Sequence, residues 1–205
     1  MSVGYLQNLM DEAAAAGRYR DYGCDEVELA YLARIASTPE VKLIAEIGFN
    51  YGLSSYTFLN ANAHSLVCSF DLSEFSYTAS AKKYIDDIFV GRHTLVQGNS
   101  VSTVPAFSRL NTSLRFDLIF IDGGHAYDVA KSDLLNMRSL ATRDTIVVMD
   151  DITPWKPCGI GPTRAWLEAV GEGLITHHQL IKEGVPALKI APPGNRSWAV
   201  GSYNL

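Results

Sequence analysis

The chain has 205 residues, of which 47% are hydrophobic and 19% are charged, and its formal net charge of −5 goes with an isoelectric point near 5.5. This composition supports one compact domain with a sizeable core, and the lack of a Lys/Arg cluster argues against a nucleic-acid surface. No apolar run approaches the roughly 20 residues that cross a bilayer, no signal peptide is evident, and three scattered cysteines match no disulfide or zinc pattern, so we expect a cytoplasmic protein without a membrane anchor.

Helix and strand signals alternate along the chain. Apolar residues at helix spacing predict two N-terminal helices, over 5–17 and 25–37. Short apolar, β-branched runs predict buried strands, each followed by a helical segment, and these strands cover 41–48, 65–71, 93–99, 116–122 and 145–151. The final segment predicts strand, turn and strand, with a hairpin through Pro-Pro-Gly-Asn at 192–195.

Repeated strand–helix units that end in a hairpin favour an α/β fold. We predict a mostly parallel sheet with helices on both faces. We expect residues 1–205 to form a single domain, in which 1–40 is an N-terminal helical segment and 41–205 is the core.

A glycine-containing turn, Gly48 to Gly52, follows the first predicted strand, and a helix begins near Ser54. Glycine lets the backbone approach a ligand closely, and the helix N-terminus offers N–H groups to an anion. The GxxxG spacing differs from the GxGxxG of dinucleotide binders, which disfavours a dinucleotide-linked oxidoreductase. Glu46 suits an ammonium group, and Asp71, at the end of the second strand, suits ribose hydroxyls. S-adenosylmethionine carries an amine, a carboxylate and a ribose, but no phosphate.

Carboxylates also end the fourth and fifth predicted strands. Asp122 closes one strand, with His125 three residues later, and Asp150 and Asp151 close the next. Because ligands bind outside the carboxyl ends of parallel strands, these groups should share one rim, where they can hold a cation or move a proton. The alternatives are that Asp122 caps the helix beginning near Ala126 and that Asp151 only starts a loop, which makes Asp150 the better metal ligand.

At these motifs the chain resembles the class I S-adenosylmethionine-dependent methyltransferases, from about residue 40 to the C-terminus. EIGFNYGLSS is similar to the glycine motif of that family, SFDLSE to its ribose-binding strand end and QGNS to its adenine-side turn. FIDGGHAYD and VVMDD resemble more narrowly the cation-dependent O-methyltransferases of the catechol and macrolide-sugar types. The resemblance implies a Rossmann-like, seven-stranded sheet whose C-terminal hairpin strand is antiparallel.

The resemblance also implies roles for individual residues. Asp122, Asp150 and Asp151 would bind Mg²⁺ or another divalent cation, and His125 would be the general base, with Lys156 in reserve. The cofactor side would comprise Glu46, Gly48, Asn50, Gly52, Ser54, Asp71, Asn99, Ser100 and Asp122. A cation that chelates an acceptor hydroxyl and a vicinal oxygen lowers the pKa of that hydroxyl, and an imidazole can accept its proton.

The resulting hypothesis is a Mg²⁺-assisted O-methyltransferase that acts on a small molecule, and the histidine favours a sugar or natural-product hydroxyl. The alternatives are a metal-independent methyltransferase of the same fold and a non-catalytic S-adenosylmethionine-binding protein. The loop at 154–162 could cover the acceptor or be an ordinary connection, and the N-terminal helices could mediate a homodimer. Solvated or capping roles are the expectation for Asp128 and Asp133.

Overall fold

The computed structural model describes residues 3–17 and 23–205. Seven helices lie in this part of the chain: α1 (Gly4–Ala15), α2 (Glu26–Ala36), α3 (Leu53–Ala61), α4 (Ser76–Ile88), α5 (Ser100–Leu110), α6 (Tyr127–Met137) and α7 (Ile160–Gly171). The strands are β1 (Leu43–Ile47), β2 (Leu66–Asp71), β3 (His93–Gln97), β4 (Phe116–Ile121), β5 (Ala141–Met149), β6 (Ile175–Lys182), β7 (Val185–Ala187) and β8 (Ser197–Tyr203).

All eight strands form one sheet in the order β3-β2-β1-β4-β5-β8-β6-β7. Neighbours among β1 to β5 pair in parallel, whereas β8 lies antiparallel between β5 and β6. The predicted Rossmann-like sheet, mostly parallel with an antiparallel last strand, is therefore confirmed. The described sheet has one strand more than the predicted seven, because the short β7 pairs with the end of β6.

The predicted hairpin through Pro-Pro-Gly-Asn is wrong. The tight turn lies at Glu183–Gly184, between β6 and β7, where both residues have positive φ angles of 49° and 77°. Two successive positive φ angles match the right-handed twist of paired strands in a two-residue hairpin. Pro192 and Pro193 have no N–H to donate to a ladder, and residues 188–196 form a loop rather than a strand.

Side chains that alternate along the central strands build a core on each face of the sheet. Ile44 of β1 belongs to the core that α1, α2, α3 and α4 cover, while the next residue, Ala45, belongs to the core that α5, α6 and α7 cover. This period of two is the pattern of a sheet buried on both faces. None of the helices in the described ranges combines the length and the apolarity that spanning a bilayer requires.

The strand order reverses between β1 and β4, since the chain proceeds outward from β1 to β3 and then returns to β4. In open α/β sheets, the crevice outside the carboxyl ends of the strands at such a reversal is where ligands bind. The turns after β1 and β4 meet at this point, and these turns contain Gly48 and Asp122.

Two adjacent leucines of α6 provide a test of the core on the second face. Leu134 is 1% exposed and Leu135 is 46% exposed. We expect Leu134→Ala to lower the free energy of unfolding by about 2–5 kcal/mol, because it removes buried methyl groups and leaves a cavity. Leu135→Ala, the matched control, should change it by less than about 1 kcal/mol. Urea denaturation followed by circular dichroism measures both, and equal losses would contradict the assigned face.

Candidate active site

A cavity of about 360 Å³ opens at the reversal between β1 and β4. Its lining includes six of the residues that the sequence predicted for the cofactor side: Gly48, Asn50, Asp71, Asn99, Ser100 and Asp122. Ser54 and Asp122 also line an adjoining cavity of about 50 Å³. A larger cavity of about 810 Å³ lies between α1 and the first turn of α4, and its lining contains no strand-end carboxylate.

The turn after β1 contacts the backbone of the turn after β4, and this contact leaves no room for a side chain at position 48. The φ of Gly48 is +97°, and a Cβ built on it would lie 1.9 Å from the carbonyl oxygen of Asp122. Gly52 has φ +75° and precedes α3 as its N-cap, where a Cβ would lie 2.8 Å from the ring of Phe49. The two glycines thus fit the turn against the protein itself, whereas the sequence had suggested close approach to a ligand.

The carboxylate of Asp71, the last residue of β2, holds the glycine turn through hydrogen bonds. Its Oδ2 accepts hydrogen bonds from the backbone N–H groups of Phe49 and Asn50, both at 2.9 Å, and its Oδ1 accepts one from Ser73 at 2.6 Å. Asp71 also lines the 360 Å³ cavity. The structure therefore gives this residue a structural role at the turn, and its contact with a ribose stays a prediction.

Glu46 does not reach the cavity. It is fully buried, and its carboxylate accepts hydrogen bonds from the hydroxyls of Ser54, Ser55 at 2.5 Å and Ser69 at 2.6 Å. The expectation that Glu46 contacts an ammonium group of the cofactor is corrected: its carboxylate ties β1 and β2 to the first turn of α3. Burial raises the pKa of Glu46 to about 7, although the three hydroxyls oppose the shift. His93, 3.0 Å from Ser69, is kept neutral because burial lowers its pKa to about 3.

Three aromatic rings form a stack beside the turn. The ring of Tyr77 lies 4.0 Å from that of Tyr51 and 5.1 Å from that of Phe75, and all three planes are within 13° of parallel to their neighbour. The hydroxyl of Tyr77 donates a hydrogen bond to Oδ1 of Asn50 at 3.0 Å. Phe75 and Tyr77 line the cavity, and the sequence analysis did not single them out.

The start of α5 closes the opposite side of the cavity. Asn99 caps the helix, since its Oδ1 accepts the N–H of Val101 at 3.0 Å, and Ser100 follows as the first helical residue. Behind Ser100 and Gly123 lies Asp133 of α6, which is 0% exposed and whose pKa burial raises to about 6. The solvated or capping role expected for Asp133 is wrong. The signal was present, because Asp133 falls on the apolar stripe of its helix.

Outside β4 and β5, three side chains form a group that can hold a cation. One ligand atom from each of Asp122, His125 and Asp151 lies within 4.8 Å of the others, and Nε2 of His125 is 2.8 Å from Oδ2 of Asp151. Asp151 has a left-handed backbone, with φ 59°, a conformation that few non-glycine residues adopt and that clusters at functional sites. We call this group the acidic rim.

Asp150 lies beside the acidic rim but faces the interior. It is 2% exposed, and its Oδ2 lies 3.6 Å from the guanidinium of Arg196. Glu28 of α2, which is 0% exposed, lies 3.9 Å from the same guanidinium. Burial raises the pKa of Asp150, and the charges of Asp122 and Asp151 raise it further.

Glu28 and Arg196 were both missed in the sequence. Glu28 occupies a buried position of α2 beside Tyr31 and Leu32, so its place on the apolar stripe was a usable signal. Arg196 had been assigned to the predicted hairpin, and the sequence contained no signal for its place beside Asp150. Cys24 was missed as well: its thiol lies 3.8 Å from Oδ2 of Asp122, and burial raises its pKa far above the ordinary value.

The loop at 154–162 packs against the loop at 188–196. The indole N–H of Trp155 donates to the carbonyl of Gly194 at 2.8 Å, and Nζ of Lys156 donates to the carbonyl of Asn195 at 3.0 Å. Lys156 is thus tied to a backbone carbonyl, whereas His125 belongs to the acidic rim. The geometry favours His125 over Lys156 as a base.

The residues of the rim fit a divalent cation. Mg²⁺ and related ions take carboxylate oxygens in preference to neutral groups, and a buried carboxylate needs a compensating charge. Asp150 is 2% exposed and lies beside Asp122 and Asp151, so it adds a further carboxylate whose charge needs such compensation. The sequence predicted Asp122, Asp150 and Asp151 as the ligands and favoured Asp150 over Asp151, whereas the group that converges contains Asp122, Asp151 and His125, which the sequence had assigned as the base.

A family model described as a methyltransferase domain matches residues 45–152 of this chain. The match runs from β1 to the residue after Asp151, and so spans the glycine turn and the acidic rim. No curated protein matches the chain.

Solved structures share the whole fold at low sequence identity. An O-methyltransferase from Bacillus cereus, in complex with S-adenosylhomocysteine, is 15% identical with a TM-score of 0.76, and the alignment covers 100% of this chain and 92% of that one. The tomaymycin-synthesis O-methyltransferase from Streptomyces achromogenes, in complex with S-adenosylmethionine, is 17% identical with a TM-score of 0.76, at 99% and 91% coverage. The TDP-rhamnose 3′-O-methyltransferase of calicheamicin biosynthesis is 19% identical with a TM-score of 0.64, at 96% and 91% coverage.

Gly48→Ala tests the contact between the two turns. Its Cβ would overlap the Asp122 carbonyl and its φ is positive, so the turn must shift and distort the cavity. We expect binding of S-adenosylhomocysteine, measured by calorimetry, to weaken by at least about tenfold. Gly171→Ala at the end of α7, where a Cβ has nothing within 4 Å, is the matched control and should bind as the parent does. Parent-like binding by Gly48→Ala would remove the cavity from consideration as the cofactor site.

Glu46→Gln tests the buried carboxylate under the turn. The pKa of Glu46 is raised from 4.5 to about 7 in the folded state, so folding favours its protonated form. Its stabilising contribution is complete below pH 4.5 and is lost as the pH rises to about 7. The free energy of unfolding of the parent, relative to Glu46→Gln, should therefore fall by about 3 kcal/mol between pH 4.5 and pH 8. Urea titrations across this range measure the difference, and a constant difference would contradict the raised pKa.

Proposed function

We propose that this chain, which belongs to the methyltransferase domain family, transfers the methyl group of S-adenosylmethionine to a hydroxyl of a small-molecule acceptor with the help of a divalent cation. The observation that carries the proposal is the position of Asp122. Asp122 lines the 360 Å³ cavity, and its carboxylate belongs to the acidic rim. A cofactor cavity and a cation-binding rim that share a residue place a donor and an acceptor side by side, which is what a displacement between two substrates needs.

The cavity supplies groups for each part of the cofactor. The N-terminus of α3, which begins at Leu53 directly after the glycine turn, presents backbone N–H groups for a carboxylate. Asp71 offers carboxylate oxygens on the ribose side, and Asn99 and Ser100 border the side assigned to adenine. Phe75 adds an aromatic wall, which suits a planar base.

The acidic rim supplies the chemistry on the acceptor side. When bound, S-adenosylmethionine carries an electrophilic methyl group, and a divalent cation lowers the pKa of an acceptor hydroxyl. Asp122 and Asp151, with Asp150 adjoining, would hold the cation and so fix the direction of the acceptor. His125 would accept the proton of the hydroxyl as the new bond forms, and Asp151, 2.8 Å from Nε2 of His125, would stabilise the imidazolium.

The class of acceptor follows from the rim and from the structural neighbours. A cation chelates best when the acceptor presents a second oxygen next to the reacting hydroxyl, as catechols and many sugars do. Two of the neighbours act, by their names, in tomaymycin synthesis and on TDP-rhamnose. Their identities to this chain are below 20%, so they support a sugar or natural-product hydroxyl as the acceptor only by analogy.

A second candidate is a metal-independent methyltransferase that uses the same rim. The pair formed by His125 and Asp151 is the observation that favours it, because a carboxylate that orients an imidazole is a complete general-base arrangement. In that case Asp122 and Asp150 would act through their charge alone. Dependence of the reaction on a metal separates the two candidates.

The first experiment is calorimetric titration of S-adenosylhomocysteine, followed by Mg²⁺ or Mn²⁺, into the parent and Asp122→Asn. We expect cofactor binding to both proteins and a cation signal only in the parent, because Asp122 contributes one of the rim carboxylates. Asp128→Asn, in the first turn of α6 and outside the rim, is the matched control and should keep the cation signal.

A screen of catechols and nucleotide sugars then measures turnover with and without EDTA. Loss of turnover with EDTA, and its return on adding Mg²⁺, is the expected result. Turnover that persists in EDTA but falls about 100-fold or more in His125→Ala would favour the metal-independent candidate. No binding of S-adenosylhomocysteine to the parent would overturn both candidates.

A further inference from the structure

Arg196 joins three separate parts of the chain at the back of the acidic rim. Its guanidinium donates to the carbonyl of Gly23, lies 3.9 Å from Glu28 of α2 and 3.6 Å from Asp150, and also approaches the exposed Asp25 at 3.8 Å. The Arg196 side chain is only 15% exposed. No other Lys or Arg in the described ranges makes an ion pair with Asp150, so this guanidinium is the local counter-charge.

The contact between Arg196 and Asp150 is an incomplete ion pair. An arginine that serves a carboxylate structurally makes two parallel N–H···O bonds near 2.8 Å. Here the separations are 3.6 Å and 3.9 Å, and the carboxyl groups of Glu28 and Asp150 also contact each other beside the guanidinium. The guanidinium therefore offsets the charge of Asp150 by proximity rather than through a bidentate pair.

The position of Asp150 also indicates that Arg196 holds it away from the acidic rim. Asp122, His125 and Asp151 converge within 4.8 Å of one another, while the adjacent Asp150 is not part of that group. Asp150 follows β5 directly, yet it faces Glu28 and Arg196 rather than His125. Attraction between Asp150 and the guanidinium of Arg196, 3.6 Å away and largely shielded from water, favours this orientation.

We propose that Arg196 is a positioning residue that acts as a resident cation, holding Asp150 back from the acidic rim and competing with the divalent cation for it. The inference rests on the proposed cation site and goes beyond it, because it assigns to a residue outside the rim the control of cation affinity. Cation binding then includes the transfer of Asp150 from Arg196 to the rim.

The test is the affinity for Mn²⁺ alone, measured by calorimetry on parent, Arg196→Met, Arg196→Lys and Arg138→Met. We expect Arg196→Met to bind Mn²⁺ about tenfold tighter or more, because the competing charge is gone. Arg196→Lys keeps the charge and should stay within about threefold of the parent. Arg138→Met removes an exposed positive charge that bonds to Asn204 at the other end of β5, and so controls for net charge.

A purely structural role for Arg196 predicts a different pattern. Loss of packing would weaken Mn²⁺ binding in Arg196→Met and, to a similar degree, in Arg196→Lys, and either result would overturn the proposal. Equal tightening in Arg138→Met would also overturn it, because the effect would then be one of net charge. If Arg196→Met does not fold, Arg196→Gln replaces it with the same expected direction.

The outcome for the parent separates this inference from the proposed function. A parent that binds S-adenosylhomocysteine but no Mn²⁺, together with an Arg196→Met protein that binds none, would remove the cation site itself. A parent that binds Mn²⁺ with an affinity that Arg196→Met leaves unchanged would remove only the role of Arg196. Binding of S-adenosylhomocysteine should be equal in all variants, since Arg196 does not line the 360 Å³ cavity.

Discussion

Burial of negative charge outside β4 and β5 is the constraint on which the site depends. Asp150 and Glu28 are almost inaccessible to water, Asp122 and Asp151 adjoin them, and Arg196 is the guanidinium that lies among them. Carboxylates in such a place are stable only when protons, a guanidinium or a metal offset their charge. The proposed divalent cation would supply part of this compensating charge.

The same group explains why the N-terminal helices belong to the site. Glu28 brings α2 to Asp150 through Arg196, and Cys24, just before α2, faces Asp122. Residues before the first strand therefore complete the back of the rim. The sequence had treated 1–40 as a separate segment and a candidate dimer contact, because the apolar spacing of a helix reports which face is buried and does not report what covers it.

Much of the fold was predictable because it depends on local patterns. Strand-length apolar runs that alternate with helical segments predicted β1 to β5 in the correct order, and glycines with strand-end acids located the cavity and the rim. What failed depends on contacts between distant residues. The Glu46 carboxylate looked like a ligand for an amine, yet three hydroxyls from α3 and β2 enclose it. Arg196 was placed in a hairpin because Pro-Pro-Gly-Asn was taken as its turn. The two-residue turn lies instead at Glu183–Gly184, where both residues have positive φ angles.

The two turns that flank the reversal of the sheet link the cofactor side to the acceptor side. Gly48 has no side chain where the carbonyl of Asp122 lies, so the backbone of one turn fixes the other. Asp71 and Glu46 fix the first turn from below, through two backbone N–H groups and three serine hydroxyls. The carboxylate of Asp122 then extends from this rigid base toward His125 and Asp151.

Asp122 and Asp150 differ in how firmly the protein holds them. The Asp122 backbone cannot move without displacing the glycine turn, so the distance between the cavity and the rim is set by the fold. Asp150, by contrast, has one ion pair among the described residues, to the guanidinium of Arg196 at 3.6 Å. Under the proposed function, Asp122 would therefore keep its distance to the cavity, and Asp150 would be the carboxylate that adjusts when a cation binds.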